Sequence, residues 1–320
     1  MITQRKMLWL ETYRLPFTWS HSRDQLFRLC QRQYYWRYYA PYGGNSPEED
    51  GDRVLYYLLG RLTSIPALIG STVHSVARDA LTAARAGRTW EAGVYTATAD
   101  LLLRRSLIRS QKVCQHPTVH VQRQTVLLIE HYYHQPLDVT QALASVREYT
   151  EVLLAHPAFH RALADAQHLM LVDEVRRFDV NGVPVYCVPD VLMSSPDGSY
   201  WLIDWKTGNA VSENLEVART QLALYALYLS QVEGVRPEAI HCEVVDLRHG
   251  AVYQWHLTTV QLEEAHERVI RSVAEMQQRL RDITANQANR DDYPQTSLLV
   301  TEDSPCDRCA FRKACFGLTV

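Results

Sequence analysis

The chain has 320 residues, 47% hydrophobic and 22% charged, with a formal net charge of −3. This is globular material of a length that suits one large domain or two modest ones. The total charge does not mark a nucleic-acid binder, and no run approaches the roughly 20 apolar residues of a membrane span.

The opening Met1-Ile2-Thr3-Gln4-Arg5-Lys6 lacks the apolar core of a secretory signal, so a cytoplasmic address is expected. Seven cysteines, an odd number without an export signal, argue against a disulfide framework and for metal ligation where they cluster. Cys30, Cys306, Cys309 and Cys315 are the candidates, while Cys114, Cys187 and Cys242 stand alone and read as packing residues.

After a short lead, a helix is predicted from Ser20 or Ser22, where a serine hydroxyl can satisfy an orphan backbone N–H. Residues 1–40 carry seven Lys/Arg against two Asp/Glu, and Arg28, Arg32 and Arg37 interleave with Tyr34, Tyr35, Trp36, Tyr38 and Tyr39. Cations for phosphates and rings for unstacked bases suit single-stranded DNA, with Arg28, Arg32, Tyr34 and Arg37 as the expected contacts. An amphipathic helix with a solvated basic face and a buried aromatic stripe accounts for the same residues equally well. Pro41-Tyr42-Gly43-Gly44 breaks the chain, and Glu48-Glu49-Asp50-Gly51-Asp52 extends the loop. From Val54 to His156 the apolar spacing is helical, with breaks at Gly87 and Gln115-His116-Pro117, and residues 76–125 hold eight Lys/Arg against three Asp/Glu.

The period then changes to two. Runs 169–180 and 183–193 read as strands joined by Asn181-Gly182, a two-residue hairpin signal. Pro196-Asp197-Gly198 turns into a strand over 200–206, followed by a helix over 213–231. Strands over 239–247 and 252–257 turn at His249-Gly250, and a long helix over 259–283 leads to a polar loop and the cysteine tail. This order predicts an α/β core with a large helical addition upstream.

Asp204 and Lys206, two apart on a strand, emerge on one face. Apolar Leu202 and Ile203 before them, and Thr207-Gly208 after, put the pair at the end of a buried strand. There the carboxylate can hold a hard divalent cation while the lysine orients and helps deprotonate a water. One carboxylate seldom holds Mg²⁺ alone, and the neighbouring strand supplies Asp190 across the ladder.

Pro189-Asp190, then thirteen intervening residues, then Asp204-Trp205-Lys206 resembles the PD-(D/E)xK signature. Gln221-Leu222-Ala223-Leu224-Tyr225 resembles the Q-x-x-x-Y element of RecB-like nucleases, and Gly70-Ser71-Thr72-Val73-His74 their G-x-x-x-H helix. The likeness covers roughly residues 16–86, 168–257 and 300–317. It implies an α/β restriction-endonuclease-like core, a mixed central sheet flanked by helices, that hydrolyses DNA with Mg²⁺ or Mn²⁺. His74, Asp190 and Asp204 would hold the metal, with the Trp205 carbonyl as an extra ligand and Lys206 activating water. Gln221 and Tyr225, one helical turn apart, would position the strand. Glu174 matches a common family position, either close to the metal or in a strand salt bridge. Where the family often has glycine, three residues before the first aspartate, this chain has Cys187, which leaves the local strand geometry open. No phosphate-loop motif occurs, so no motor of its own is expected.

Cys306, Cys309 and Cys315 form C-x2-C-x5-C and leave a four-coordinate site one ligand short, which Cys30 can supply. Zinc or an iron–sulfur cluster would accept the same four sulfurs. One cysteine ahead of a nuclease core and three behind it resembles the iron–sulfur nucleases of the AddB and CRISPR-adaptation types, and Cys30-Gln31-Arg32-Gln33-Tyr34 resembles their C-x-x-x-Y start. The resemblance implies a structural 4Fe–4S cluster that clips the chain into one long loop, near Arg308, Arg312 and Lys313.

The expectation is one nuclease domain over 1–320: a basic, aromatic segment over 1–45 with the first cluster cysteine, a mostly helical region over 54–160, a catalytic core over 168–284, and a loop and cysteine tail over 285–320. The family implies exonuclease action on single-stranded ends. The alternatives are a non-catalytic DNA-binding or assembly subunit and a zinc-clipped endonuclease. Such modules serve DNA repair, CRISPR spacer acquisition and phage defence, so helicases and CRISPR-adaptation proteins are implied partners.

Overall fold

The computed structural model describes residues 16–42, 52–115, 126–208, 211–295 and 305–317. The expected N-terminal lead, the acidic loop at Glu48-Glu49-Asp50, the break at His116-Pro117 and the start of the tail lie outside them. The chain divides into two compact units, a larger one of Thr63–Phe178 and Tyr186–Glu267 and a smaller one of Met1–Leu62, Asp179–Val185 and Arg268–Val320.

The larger unit begins with helix α1 (Ile65–Arg85), whose first N–H, that of Ile65, donates to Glu130 Oε1 at 3.0 Å and whose first turn holds Pro66, where a missing N–H costs nothing. It ends where Gly87 takes φ 69° and Arg88 N–H reaches back to the Ala83 carbonyl at 2.9 Å. Helices α2 (Ala92–Gln115), α3 (Val139–Ala155) and α4 (Pro157–Ala164) follow. Val73, Val76, Ala77, Ala80 and Leu81 form one stripe of α1, buried in a single cluster with Leu103 and Leu107 of α2, Val146 and Leu153 of α3, and Phe159 of α4. Each aliphatic chain so buried contributes about 1.5–3 kcal/mol. The helical addition is therefore the back wall of the helix that carries His74.

A five-stranded sheet runs β1 (Leu169–Val172), β2 (Val191–Ser194), β3 (Tyr200–Lys206), β4 (Ile240–Asp246) and β5 (Ala251–His256), each paired with its neighbour in that order. β3 pairs parallel with β4, and the other pairings are antiparallel. The crossover between the parallel strands is helix α5 (Leu215–Glu233), which such a connection requires. Alternation sorts β3: Ile203 and Trp205 join the helical cluster on one face, and Asp204 and Lys206 face the other way. A mixed sheet with helices on both faces is what the sequence predicts.

Several boundaries differ. The expected strand over 169–180 is interrupted at Asp173, a non-glycine residue at φ 52°, before the hairpin Arg176–Val180 and Val183–Cys187. Asn181 and Gly182 make its turn at φ 51° and 81°, as the dipeptide predicts. The long helix ends at Gln277 rather than residue 283, because Leu280–Asp282 pairs with Gln287–Ala288.

In the smaller unit the expected first helix is two, His21–Leu29 and Gln31–Tyr38, broken at Cys30, whose backbone is extended at φ −160°. Ser20 caps the first, as expected of serine there, and the Cys30 sulfur caps the second by accepting from Gln33 N–H. The core of this unit is aromatic: Tyr34, Tyr35, Trp36, Tyr39 and Tyr293 are all buried, and the Tyr34 and Tyr293 rings stack at 6.3 Å. No helix among the described residues is long and apolar enough to cross a membrane.

Candidate active site

Asp190 lies just before β2 and is 9% exposed, while Asp204 on β3 is 2% exposed. The register pairs Val191 with Ile203, so the two aspartates meet at the same end of the ladder. Asp190 Oδ2 accepts from Trp205 N–H at 2.8 Å, and its Oδ1 lies 3.0 Å from His74 Nδ1. His74 Nε2 lies 3.1 Å from the Trp205 carbonyl oxygen. Lys206 Nζ lies 2.7 Å from Asp204 Oδ2 and donates to Gln221 Oε1 at 2.8 Å. Gln221 Nε2 in turn donates to the Tyr225 hydroxyl at 2.6 Å. The six side chains singled out in the sequence thus form two networks, His74 and Asp190 on the Trp205 backbone, and Asp204, Lys206, Gln221 and Tyr225 from the residues flanking it; the Trp205 ring is buried against Phe159.

The electrostatics are those of two buried carboxylates held beside two cations, His74 and Lys206. Burial, together with the neighbouring Asp190, raises the Asp204 carboxyl above its ordinary range despite Lys206. Its Oδ2 is buried and has no hydrogen bond of good geometry, although the ammonium is near. For Lys206, burial alone would lower the ammonium, but Asp204 and Asp190 outweigh it and hold it above the usual value. For Asp190, burial is outweighed by His74, and its carboxyl is lowered. Burial would also lower His74, yet the Asp190 and Asp204 charges raise it to about 9. Both ring nitrogens then carry protons, one aimed at Asp190 and one at the Trp205 carbonyl. An imidazolium therefore sits against the two oxygens that the family resemblance gives to a metal.

Among the described residues no three His, Cys, Asp or Glu side chains are placed to hold a metal ion. Asp204, whose Oδ2 has only the Lys206 ammonium beside it, Asp190, the Trp205 carbonyl and His74 nevertheless fit a hard divalent ion in chemistry: oxygen donors with one imidazole. Since that imidazole must lose a proton to ligate, Mn²⁺ affinity is expected to rise by roughly tenfold per pH unit from pH 6 toward 9 and then level off. Calorimetry across that range measures it, and a flat profile contradicts a ligand role for His74.

Gly70 explains the first position of G-x-x-x-H. A Cβ there would lie 2.8 Å from Thr207 Oγ1, immediately after the Lys206 strand end. Gly70→Ala is expected to cost about 1–3 kcal/mol in urea unfolding. Thr207→Ala in the same chain should recover most of that loss, whereas Thr207→Ser, which keeps the oxygen, should not.

Glu174 pairs with Arg176 at 2.8 Å, which is the salt-bridge alternative. The residue that sequence reasoning passed over is its neighbour. Asp173 donates its N–H to the Pro189 and Asp190 carbonyls, both at 3.1 Å, and its carboxylate takes Arg78 at 2.8 Å. Arg78 lies one turn after His74 on α1, so this ion pair ties the histidine helix to the backbone that presents Asp190. The sequence signal available was the tolerance of aspartate for positive φ.

In the smaller unit the DNA-contact candidates fare unevenly. Tyr34 is fully buried and offers no ring face to a base. Arg28 is ion-paired to Asp24 at 2.9 Å and Glu275 at 3.4 Å, and Arg32 donates to the Tyr293 carbonyl at 2.7 Å. Arg37 is exposed and reaches the Gly60 carbonyl. The four candidate cysteines are brought into electrostatic range: burial pushes the Cys309 thiol to about 12, with Cys30, Cys315 and Cys306 adding to the rise. Gln33 N–H, Phe311 N–H and Gln295 Nε2 donate to the sulfurs of Cys30, Cys309 and Cys315 at 3.4, 3.4 and 3.1 Å.

A mixed sheet between helices, with two buried aspartates and a lysine at one strand end, suits metal-dependent phosphodiester hydrolysis. A family model agrees: residues 18–316 match the PD-(D/E)XK nuclease superfamily, and the chain belongs to it. No curated relative matches the sequence. Among solved structures, one described as "Crystal structure of SSO0001" is 12% identical with a TM-score of 0.28, the match covering 68% of this chain and 98% of that one, a likeness too slight to place any residue.

Proposed function

We propose that this protein is a Mg²⁺- or Mn²⁺-dependent DNA exonuclease that acts on single-stranded ends. The carrying observation is the pair of networks on and beside Trp205, which place His74, Asp190, Asp204, Lys206, Gln221 and Tyr225 around two buried carboxylates at one strand end. A bound divalent ion would supply Lewis acidity at the phosphoryl oxygen and acidify a water. His74, Asp190, Asp204 and the Trp205 carbonyl would hold it. Lys206 would orient the attacking water and meet negative charge developing on the phosphate. Both ends of the Gln221 amide are engaged by protein partners, so its part is to position Lys206 and the Tyr225 hydroxyl. Burial, with Asp204 adding to it, keeps the Tyr225 phenol protonated, so it is a hydrogen-bond donor at neutral pH.

The preference for single-stranded ends rests on the RecB-like motifs. We further assign a structural 4Fe–4S cluster to Cys30, Cys306, Cys309 and Cys315, supported by the rise that Cys30, Cys315 and Cys306 add at the Cys309 thiol and by the N–H···S bonds to three of the four. The deciding assay is anaerobic digestion, with Mn²⁺, of end-labelled linear strands beside covalently closed single-stranded circles. Linear strands should shorten from an end while circles survive, and Asp190→Ala should abolish the shortening. Circles cut as fast as linear strands would make it an endonuclease.

A further inference from the structure

The smaller unit contains a cleft of about 340 Å³ lined by Arg23, Arg37, Arg61, Tyr38 and Tyr57. Its size falls within the range of roughly 300–1,000 Å³ typical of ligand sites. Among the described residues, none that lines it is acidic. The three arginines come from separate places: the first helix, the end of the second, and the residue after the Gly60 turn. Each is held by a neutral group. Arg23 donates to the Thr18 carbonyl at 2.8 Å and lies 4.3 Å over the Tyr38 ring. Arg37 donates to the Gly60 carbonyl, and Arg61 donates to the Tyr57 hydroxyl at 3.2 Å.

Four arginines elsewhere in the same unit pair with carboxylates, Arg28 and Arg268 with Asp24, Arg281 with Asp292, and Arg290 with Asp291, while Arg32 and Arg279 reach single backbone carbonyls outside the cleft. Three guanidiniums in one cleft with no carboxylate among the described residues repel one another, and an anion sharing the cleft would relieve that repulsion. Each has donors to spare, in the planar fork that suits phosphate oxygens. The half-buried tyrosine rings add flat apolar walls, which a single phosphate does not need and a nucleobase does.

We propose that this cleft binds single-stranded DNA, with backbone phosphates against Arg23, Arg37 and Arg61 and a base against the Tyr38–Tyr57 wall. The DNA-nuclease reading above identifies the polymer; the anion chemistry is read from the cleft itself. Of the DNA contacts expected from sequence, only Arg37 belongs to it.

The test is fluorescence anisotropy of a 5′-labelled oligothymidylate with the full-length protein in EDTA, over a series of salt concentrations. The double variant Arg37→Gln, Arg61→Gln should weaken binding at least ~10-fold and reduce the salt-dependence slope by roughly 1.4, the loss of two phosphate contacts on a single strand. The double variant Arg37→Lys, Arg61→Lys keeps both charges and should retain most of the affinity. Unchanged affinity and slope in the glutamine variant would overturn the proposal. So would a lysine variant as weak as the glutamine one, since that would make the arginines braces for the Gly60 turn. Because binding is read without hydrolysis, a wild-type protein that binds the oligomer yet never cuts DNA would sink the nuclease reading and leave the cleft standing.

Discussion

Lys206→Ala is expected to lower DNA hydrolysis by about 10²–10⁴-fold, the usual weight of a positioned proton-transfer or charge-stabilising group. The ammonium is fixed from two sides, by Asp204 Oδ2 at 2.7 Å and Gln221 Oε1 at 2.8 Å. Its proton is held more tightly than usual because the two carboxylates outweigh burial. It therefore acts as a cation near neutral pH, orienting water and meeting phosphate charge, and raising the assay pH should not restore the alanine variant. Lys206→Arg should recover little, because a planar fork cannot replace a point charge set between those two oxygens. Gln221→Ala should cost less, about tenfold, since it removes one brace and leaves the charge. End-labelled DNA cleavage under single-turnover conditions measures all three, and an alanine variant within twofold of wild type would show that Lys206 is not in the reaction path.

The second large effect concerns the cysteines. Cys309→Ser is expected to remove most iron and acid-labile sulfide from anaerobically purified protein and to lower its melting temperature by roughly 10 °C or more. The reasoning is topological. A link between Cys30 and Cys306 closes 276 residues, and a cross-link over a loop of that length removes denatured-state entropy corresponding to ~5 kcal/mol. Cys242, buried in β4 away from the other thiols, is the control. Cys242→Ala should keep full iron content. Wild-type protein that carries zinc and no sulfide would instead identify the zinc-clipped alternative.

Much of this was legible in the sequence because the signals are local. Period-two spacing put Asp204 and Lys206 on one face, and the hairpin chemistry of Asn181-Gly182 fixed its turn. The i, i+4 spacing put Gln221 and Tyr225 side by side, where they hydrogen-bond. What escaped depends on distant pieces. Nothing near Cys30 announces a helix break, since its extended backbone answers to the packing of the aromatic core around Tyr293. Asp173 matters through Arg78, 95 positions earlier in the chain. The region over 88–160 has ordinary helical periodicity, and its role behind α1 emerges only from which residues share a cluster. Tyr34 looked like a base-stacking ring because composition does not say which side of an aromatic stripe faces inward.

Everything catalytic here depends on one cation position bounded by His74, Asp190, Asp204 and the Trp205 carbonyl. Anomalous diffraction from crystals soaked in Mn²⁺ tests it directly. A strong anomalous peak is expected at that position, with His74 Nε2 turned from the Trp205 oxygen to the ion. Mn²⁺ bound elsewhere, or none there at saturating concentration while His74 keeps both of its present partners, would contradict it.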